Sequence, residues 1–425
     1  MFKWLLILII YLPVQIALSP LLGIDLASIR IFIVVFFCFW LVSNFLRKKT
    51  KLSFNLIFLC LGVFLLISLI SVIFAQDHIV ALKRFVLLGS VFPLYLLTAD
   101  LVDQAAKARK IVRAFIFSAG FVALIGLIQF VSQFFVNFEK VIYFWFLNIM
   151  PVFSGAKSSQ LMLNYPTWLV NIDGHIWLRA VSVFSDGHIL AFCLGMILPL
   201  GAVLCLSASK YKQILIIINY LLFIVLLLTF ARGAYLAVIF SFSAMIWFLW
   251  RHFKRPKAAL AISLCFLLFI IPKTPINQRF FSILNFKEQA IAERFDLWKE
   301  AGQIGGKSPL FGIGAGNFSI QQKQTQDVLK KTAHNLYLDI FSELGIAGLA
   351  IWLVLIFSAI YKLYKKMTAV STGDKQALFC LGLICSLCYY AVHSFFETVY
   401  HPVILGILMV ILGLSHFYGQ KNSNN

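Results

Sequence analysis

The sequence is a succession of apolar runs, each about 20 residues long, separated by short polar connections. Wound as α-helix at about 1.5 Å per residue, a run of that length crosses the hydrocarbon layer of a bilayer. Composition excludes a soluble fold. Of the 425 residues, 61% are hydrophobic and 12% charged, where soluble chains hold about 45–50% and about 25%. That leaves too little polar surface to cover a globule in water. The expected fold is therefore all-α and polytopic, with about twelve transmembrane helices. The runs lie at 4–21, 29–46, 54–75, 81–99, 111–136, 186–207, 213–230, 233–250, 257–272, 336–364, 376–396 and 401–418. Met1-Phe2-Lys3 and the first run lack a small-residue cleavage site, which reads as a retained helix rather than a signal peptide.

A net charge of +20 could suggest nucleic acid as a partner. The placement of the charge argues for membrane lipids instead. Basic residues gather at Arg47-Lys48-Lys49-Thr50-Lys51, Lys107-Ala108-Arg109-Lys110, Lys210-Tyr211-Lys212, Arg251–Lys257 and Lys362–Lys366. With the N-terminus inside, all of these fall on the inner side, as the positive-inside rule requires. Both termini are then cytoplasmic. The eight cysteines sit in apolar runs, where they read as packing residues rather than disulfides or zinc ligands.

This topology divides the chain into helices 1–5 (1–136), an outer interfacial loop (137–185), helices 6–9 (186–272), a large outer loop (273–335), helices 10–12 (336–418) and a cytoplasmic tail (419–425). The loop between helices 9 and 10 has the composition of a soluble segment and carries most of the candidate chemistry.

In that loop, Asn285-Phe286-Lys287-Glu288 reads as a helix start, with Asn as N-cap. Ile291, Arg294, Phe295, Trp298, Ala301 and Gly302 then share one face, and Gly305-Gly306 ends the helix. Arg294 is either a snorkelling side chain on an apolar stripe or a ligand for an anion. Next comes Ser308–Phe318, where Gly312, Gly314 and Gly316 alternate ahead of Asn317. Such a turn allows positive φ, and its amides can cradle an anion; it can equally be a plain tight turn. No strand precedes it and no Lys-Ser/Thr follows, so it is neither a dinucleotide nor a P-loop fingerprint.

His334-Asn335 stands directly before the tenth run. An imidazole there can accept a proton near neutral pH, or simply anchor a helix end. Asp339 and Glu343 follow at i and i+4 inside the run, where unpaired acids are costly. They could face the bundle interior, pair with a cation, or tune the histidine. Arg232, in the short corner between the seventh and eighth runs, could bind a phosphate bidentately or fix a turn.

Four stretches carry a resemblance to a known family. His334-Asn335 is followed, after nine residues, by Gly345-Ile346-Ala347-Gly348; Ala231-Arg232-Gly233-Ala234 opens a run; Arg294-Phe295-Asp296-Leu297-Trp298 precedes Pro309–Phe318; and Arg179–His188 precedes the sixth run. Together they resemble the O-antigen ligase and polymerase family of bacterial envelopes, over roughly residues 179–350. The resemblance implies about twelve helices with a large periplasmic loop, in the bacterial cytoplasmic membrane. It also implies transfer of a glycan from undecaprenyl diphosphate, without metal or cofactor, at the outer face. The acceptor would be lipid A-core or another glycan. Carried over by motif, the catalytic positions are Arg232, Arg294 and His334.

On this reading Arg232 and Arg294 hold the diphosphate, His334 takes the acceptor proton, and attack inverts the anomeric centre. Arg179, Lys83, Arg84, Gly314, Gly316, Asn317 and Asn335 are further candidates for binding diphosphate or glycan. A ligase is the first reading and a repeat-unit polymerase its alternative. A secondary transporter is the competitor from another class, favoured only by Asp339, Glu343 and His393.

Overall fold

The computed structural model describes the chain except for residues 22–23, 47–54, 165–166, 208–210, 270, 272, 286–288, 322–331, 372–374 and 420–425. The first part of the chain forms α1 (Phe2–Tyr11), the hairpin β1 (Ala17–Leu21) and β2 (Ile24–Ala27), α2 (Ser28–Leu46), α3 (Leu56–Ile70), α4 (His78–Val91), α5 (Pro93–Leu101) and α6 (Ala105–Ser132). Then follow α7 (Phe138–Phe144), α8 (Met150–Ser154), α9 (Ala156–Asn164) and a second hairpin, β3 (Leu169–Ile172) and β4 (His175–Leu178). Four helices come next: α10 (Gly187–Ser207), α11 (Lys212–Leu228), α12 (Arg232–Arg251) and α13 (Pro256–Cys265). The chain continues through α14 (Pro275–Phe281), α15 (Gln289–Lys307) and α16 (Phe318–Gln321) into α17 (Leu336–Ala369), α18 (Lys375–His393) and α19 (Pro402–Gly419).

Among the described residues, seven helical segments are long and apolar enough to cross a membrane, and five shorter apolar helices accompany them. Each apolar run of the sequence coincides with one of these. The first run departs most from expectation. Its helix gives way to a 3-10 turn at Leu12–Val14, and residues expected to continue the span form the first hairpin instead. Pro13 and Pro20 lie in that stretch, and neither can donate the backbone hydrogen bond that a helix interior needs. The Tyr11 hydroxyl accepts from the Ile16 amide at 2.9 Å and fixes the exit.

Helices α10 and α18 form the enclosed centre of the bundle. Gly195 makes their approach possible, because a Cβ there would lie 1.9 Å from Cζ of Tyr389. The Tyr389 hydroxyl donates to the Ala191 carbonyl at 2.7 Å. Glycine at a helix contact replaces side-chain volume with backbone proximity, the usual device where lipid supplies no hydrophobic drive.

One end of the bundle is capped by the two long connections. Residues 138–181 hold a small apolar core of their own, in which Phe146 stacks on Trp168 at 4.2 Å and Trp168 donates to the Ser185 carbonyl. Another is built on Ala301, Ile304, Ile313, Phe318 and Ala333. Helix α15 crosses α17 closely at Gly305, where a Cβ would meet the Phe341 ring at 2.4 Å. Its expected start at Asn285–Glu288 lies partly outside the described residues, and it ends at Lys307, one residue beyond Gly306.

Candidate active site

Four segments meet under this cap: the start of α10, the helix α15, the start of α17 and the loop between α18 and α19. Asn335 begins α17 by accepting the amides of Tyr337 and Leu338 at 3.0 and 3.2 Å. That N-cap orients the residue before it, His334, whose φ of +48° is rare outside glycine. Asp339, one turn into the helix, accepts from the Ala333 amide at 3.0 Å and secures the same corner.

His334 faces Glu397 of the α18–α19 loop, with Nδ1 2.7 Å from Oε1. The other carboxylate oxygen lies 3.5 Å from Nη2 of Arg294 and 3.6 Å from Nε2 of His188. Nη1 of Arg294 donates to the Phe396 carbonyl at 2.8 Å, which ties α15 to the loop. Burial opposes ionisation of Glu397. His334 at hydrogen-bond distance, His188 and the Arg294 guanidinium outweigh it, holding the carboxyl well below the usual range. The charge of Glu397 in turn raises the proton affinity of His334 above its ordinary value, against the opposing effect of burial. In the neutral ring, Nδ1–H donated to the Glu397 carboxylate leaves the lone pair on Nε2 of His334.

Arg232 enters from α12, as its first residue, after a corner in which Phe230 has φ +52°. It shares a cavity of 130 Å³ with Arg294, walled by Leu236, Ile283, Ile291, Phe295, Trp298 and Phe396. Two guanidiniums thus meet across a largely apolar pocket. Arg294 links this pocket, which it lines, to the His334 corner through the Glu397 carboxylate.

The other expected residues are placed differently. Arg84 lies near the cluster, stacked 3.8 Å over the ring of Tyr400. Lys83 is exposed on α4 and stands outside it. Arg179 is buried, and donates to the carbonyls of Thr229 and Thr167 at 2.7 and 3.3 Å, while its Nη2 has no protein partner among the described residues. Together with the Ala180 amide on Leu228 and the Tyr235 hydroxyl on Leu227, it satisfies the carbonyls at the end of α11.

The glycine turn faces a carboxyl of the protein itself. The amides of Gly316 and Phe318 and the Arg84 guanidinium lie against that of Glu343. Those of Ile313 and Gly314 donate to the Ser342 and Glu343 carbonyls at 3.0 Å each, and that of Ala315 to the Ser71 hydroxyl. Asn317 is fully buried and clasps Asp77, accepting from its amide at 2.7 Å. The turn is wedged into a break in α17 at Gly345, where φ is +70° and a Cβ would lie 2.3 Å from Leu310 C. The glycines here serve a backbone-to-backbone seam.

Glu397 was not singled out by the sequence, and His188 only as the end of the Arg179–His188 stretch. A signal existed for the first: Glu397 is the single acid in residues 376–418. His393, also here, is fully buried and stacked at 3.8 Å on Phe192, with neither ring nitrogen hydrogen-bonded among the described residues.

Residues 217–353 match the family described as O-antigen ligase. An O-antigen polymerase of Salmonella muenchen is 26% identical over 356 residues, which cover 79% of this chain and 82% of that relative. The matched family segment contains Arg232, Arg294, His334 and the α17 break, and stops before Glu397.

Proposed function

We infer that this chain, for which both matches support the O-antigen ligase and polymerase family, transfers a glycan from a polyprenyl diphosphate to an acceptor hydroxyl at the outer face of the bacterial cytoplasmic membrane. The observation that carries this reading is the His334–Glu397 pair at 2.7 Å, whose carboxylate also meets Arg294, beside a pocket that Arg294 shares with Arg232.

A sugar linked to diphosphate already has a good leaving group. The enzyme must remove the acceptor proton and stabilise the departing charge. Nε2 of His334 accepts the hydroxyl proton, and Glu397 holds the ring in the tautomer that leaves Nε2 free. The acceptor oxygen bonds to the anomeric carbon from the face opposite the diphosphate, so configuration inverts. The bond from that carbon to the diphosphate oxygen breaks, and the electron pair leaves with the diphosphate. Arg232 and Arg294 neutralise it, and the apolar pocket walls suit the first isoprene units. Preorganised donors of this kind contribute about 10²–10³-fold each, and a general base about 10²–10⁴-fold.

Both termini are taken as cytoplasmic, since the short basic connections then obey the positive-inside rule. A ligase is the first reading, from the His334-to-Gly345 motif. The likeness to a polymerase over most of the chain favours a second, in which the acceptor is another carrier-linked repeat. A secondary transporter is the weaker reading: Asp339 accepts from the Ala333 amide of the loop and Glu343 lies against the glycine turn, which leaves His393, with both ring nitrogens unpartnered among the described residues, to support it.

The test is transfer by the purified protein from a defined lipid-linked glycan. Glycan moved onto a separate acceptor identifies a ligase, a carrier-linked ladder identifies a polymerase, and no product with either acceptor overturns the reading.

A further inference from the structure

A second cavity adjoins the arginine pocket, between the β3–β4 hairpin and the stretch 275–285. It is a solvent-open groove of 400 Å³, lined by Asn171, Asp173, Gln278, Arg279, Ser282 and Asn285, together with Ile172. The contrast with the apolar arginine pocket is chemical. Side-chain amides and hydroxyls offer donors and acceptors side by side, and so do the hydroxyls of a sugar. One carboxylate and one guanidinium cancel in formal charge, and Arg279 also donates to the Phe230 carbonyl at 3.4 Å. The cavity therefore suits a neutral polyhydroxylated ligand better than a phosphate. Its size lies within the range of about 300–1,000 Å³ of small-ligand sites.

The walls are preformed. Ile172 pairs with His175, and the two residues between them, Asp173 and Gly174, have φ of +53° and +83°, a tight hairpin turn. Asn171 Oδ1 accepts from the Gly174 amide at 3.0 Å. Gln278 donates to Asp173 at 3.1 Å and clasps α14 to the hairpin tip. The two cavities share a wall: the Ser282 hydroxyl is 3.4 Å from Nη1 of Arg232, and the next residue, Ile283, lines the arginine pocket. A ligand in the polar cavity would thus lie one side chain away from a diphosphate held by Arg232.

We propose that this polar cavity is a saccharide subsite, holding a sugar of the glycan substrate beside the diphosphate pocket; the proposal rests on the transfer reaction inferred above. The test measures binding, so that it is separate from turnover. His334→Ala protein in nanodiscs is titrated with two probes: undecaprenyl diphosphate, and the reducing oligosaccharide released by mild acid from the host's own lipid-linked glycan. Adding Gln278→Ala and Asn285→Ala should weaken oligosaccharide binding about tenfold or more, from two lost hydrogen-bonding groups, and leave the diphosphate probe unaffected. Adding Arg232→Ala should do the reverse. Unchanged oligosaccharide binding in the Gln278→Ala/Asn285→Ala protein overturns the subsite, and leaves the diphosphate pocket standing if that probe still responds to Arg232→Ala. A second measurement needs no variant: the oligosaccharide should slow amide exchange at 171–174 and 275–285 in the unaltered protein, and absence of protection there also overturns the proposal. In steady-state transfer, a KM rise confined to the lipid-linked donor assigns the cavity to the donor's sugars. A rise confined to the acceptor assigns it to the acceptor glycan.

Discussion

Two buried glutamates stand at the capped end of the bundle, and they are partnered in different ways. Glu343 lies against backbone amides of the glycine turn and the Arg84 guanidinium, and Glu397 against His334, His188 and Arg294. A backbone amide cannot titrate or move away, so the first arrangement fixes geometry. Histidine side chains can gain and lose protons, so the second can do chemistry. Burial of a carboxylate is costly in both cases and demands partners. The kind of partner separates a structural seam from a candidate active site.

The sharpest way to break this contrast is to remove the base. His334→Ala should lower transfer by about 10²–10⁴-fold with membrane insertion and thermal stability retained, as seen by the melting of the detergent-solubilised protein. Full transfer by that variant would end the general-base role. Arg232→Ala and Arg294→Ala should each cost about 10²–10³-fold, since each removes a donor from the departing diphosphate. Arg294→Ala should also loosen the α18–α19 loop, because Nη1 holds the Phe396 carbonyl.

Glu397→Gln asks a narrower question. The side-chain amide can donate to Nδ1 as well as accept from it, so the tautomer with a free Nε2 is no longer enforced, and a loss no larger than that of His334→Ala is expected for an orienting carboxylate. The pH profile carries the sign. The neutral imidazole is the reactive form, so activity falls as pH drops through the proton affinity of His334. Glu397 raises that affinity above the ordinary 6.5. Replacing it should move the acid limb of the rate profile to lower pH. A limb that stays in place in Glu397→Gln would mean that another group sets it.

His334, Arg232 and Arg294 were legible because short motifs mark them and because cations at the ends of apolar runs stand out. Glu397 was not, since its partner lies 63 residues earlier in the chain and only packing of α17 against α18 brings them together. The glycine turn was legible as a turn and not as a seam: spacing reveals permissive backbone, while the acceptors that its amides meet belong to α17. The first hairpin was hidden because hydropathy counts apolar side chains and takes no account of missing backbone donors at Pro13 and Pro20. Arg179 illustrates the remaining ambiguity. A buried guanidinium reads alike whether it caps α11 carbonyls or holds phosphate, and its contacts here are carbonyls.

At the seam the expected effects fall on stability. Gly345→Ala places a Cβ 2.3 Å from Leu310 C at φ +70°. The strained φ alone costs about 1–3 kcal/mol, and the clash adds to it. A lower melting temperature is expected, with the acid limb of the remaining activity unmoved. A shifted limb would show that the seam and the His334 corner are not separable.

The smallest effect is expected from Glu343→Gln. Glutamine keeps a carbonyl oxygen in the place of the carboxylate, so the Gly316 and Phe318 amides retain an acceptor. The change in hydrogen bonding is about 1 kcal/mol or less, and the α17 break keeps its docking partner. Transfer should stay within a few-fold of the unaltered protein while stability falls slightly. If instead Glu343→Gln folds normally and abolishes transfer, then Glu343 takes part in the chemistry, acting through Arg84 and Tyr400, and the division between an amide-held and a histidine-held carboxylate fails.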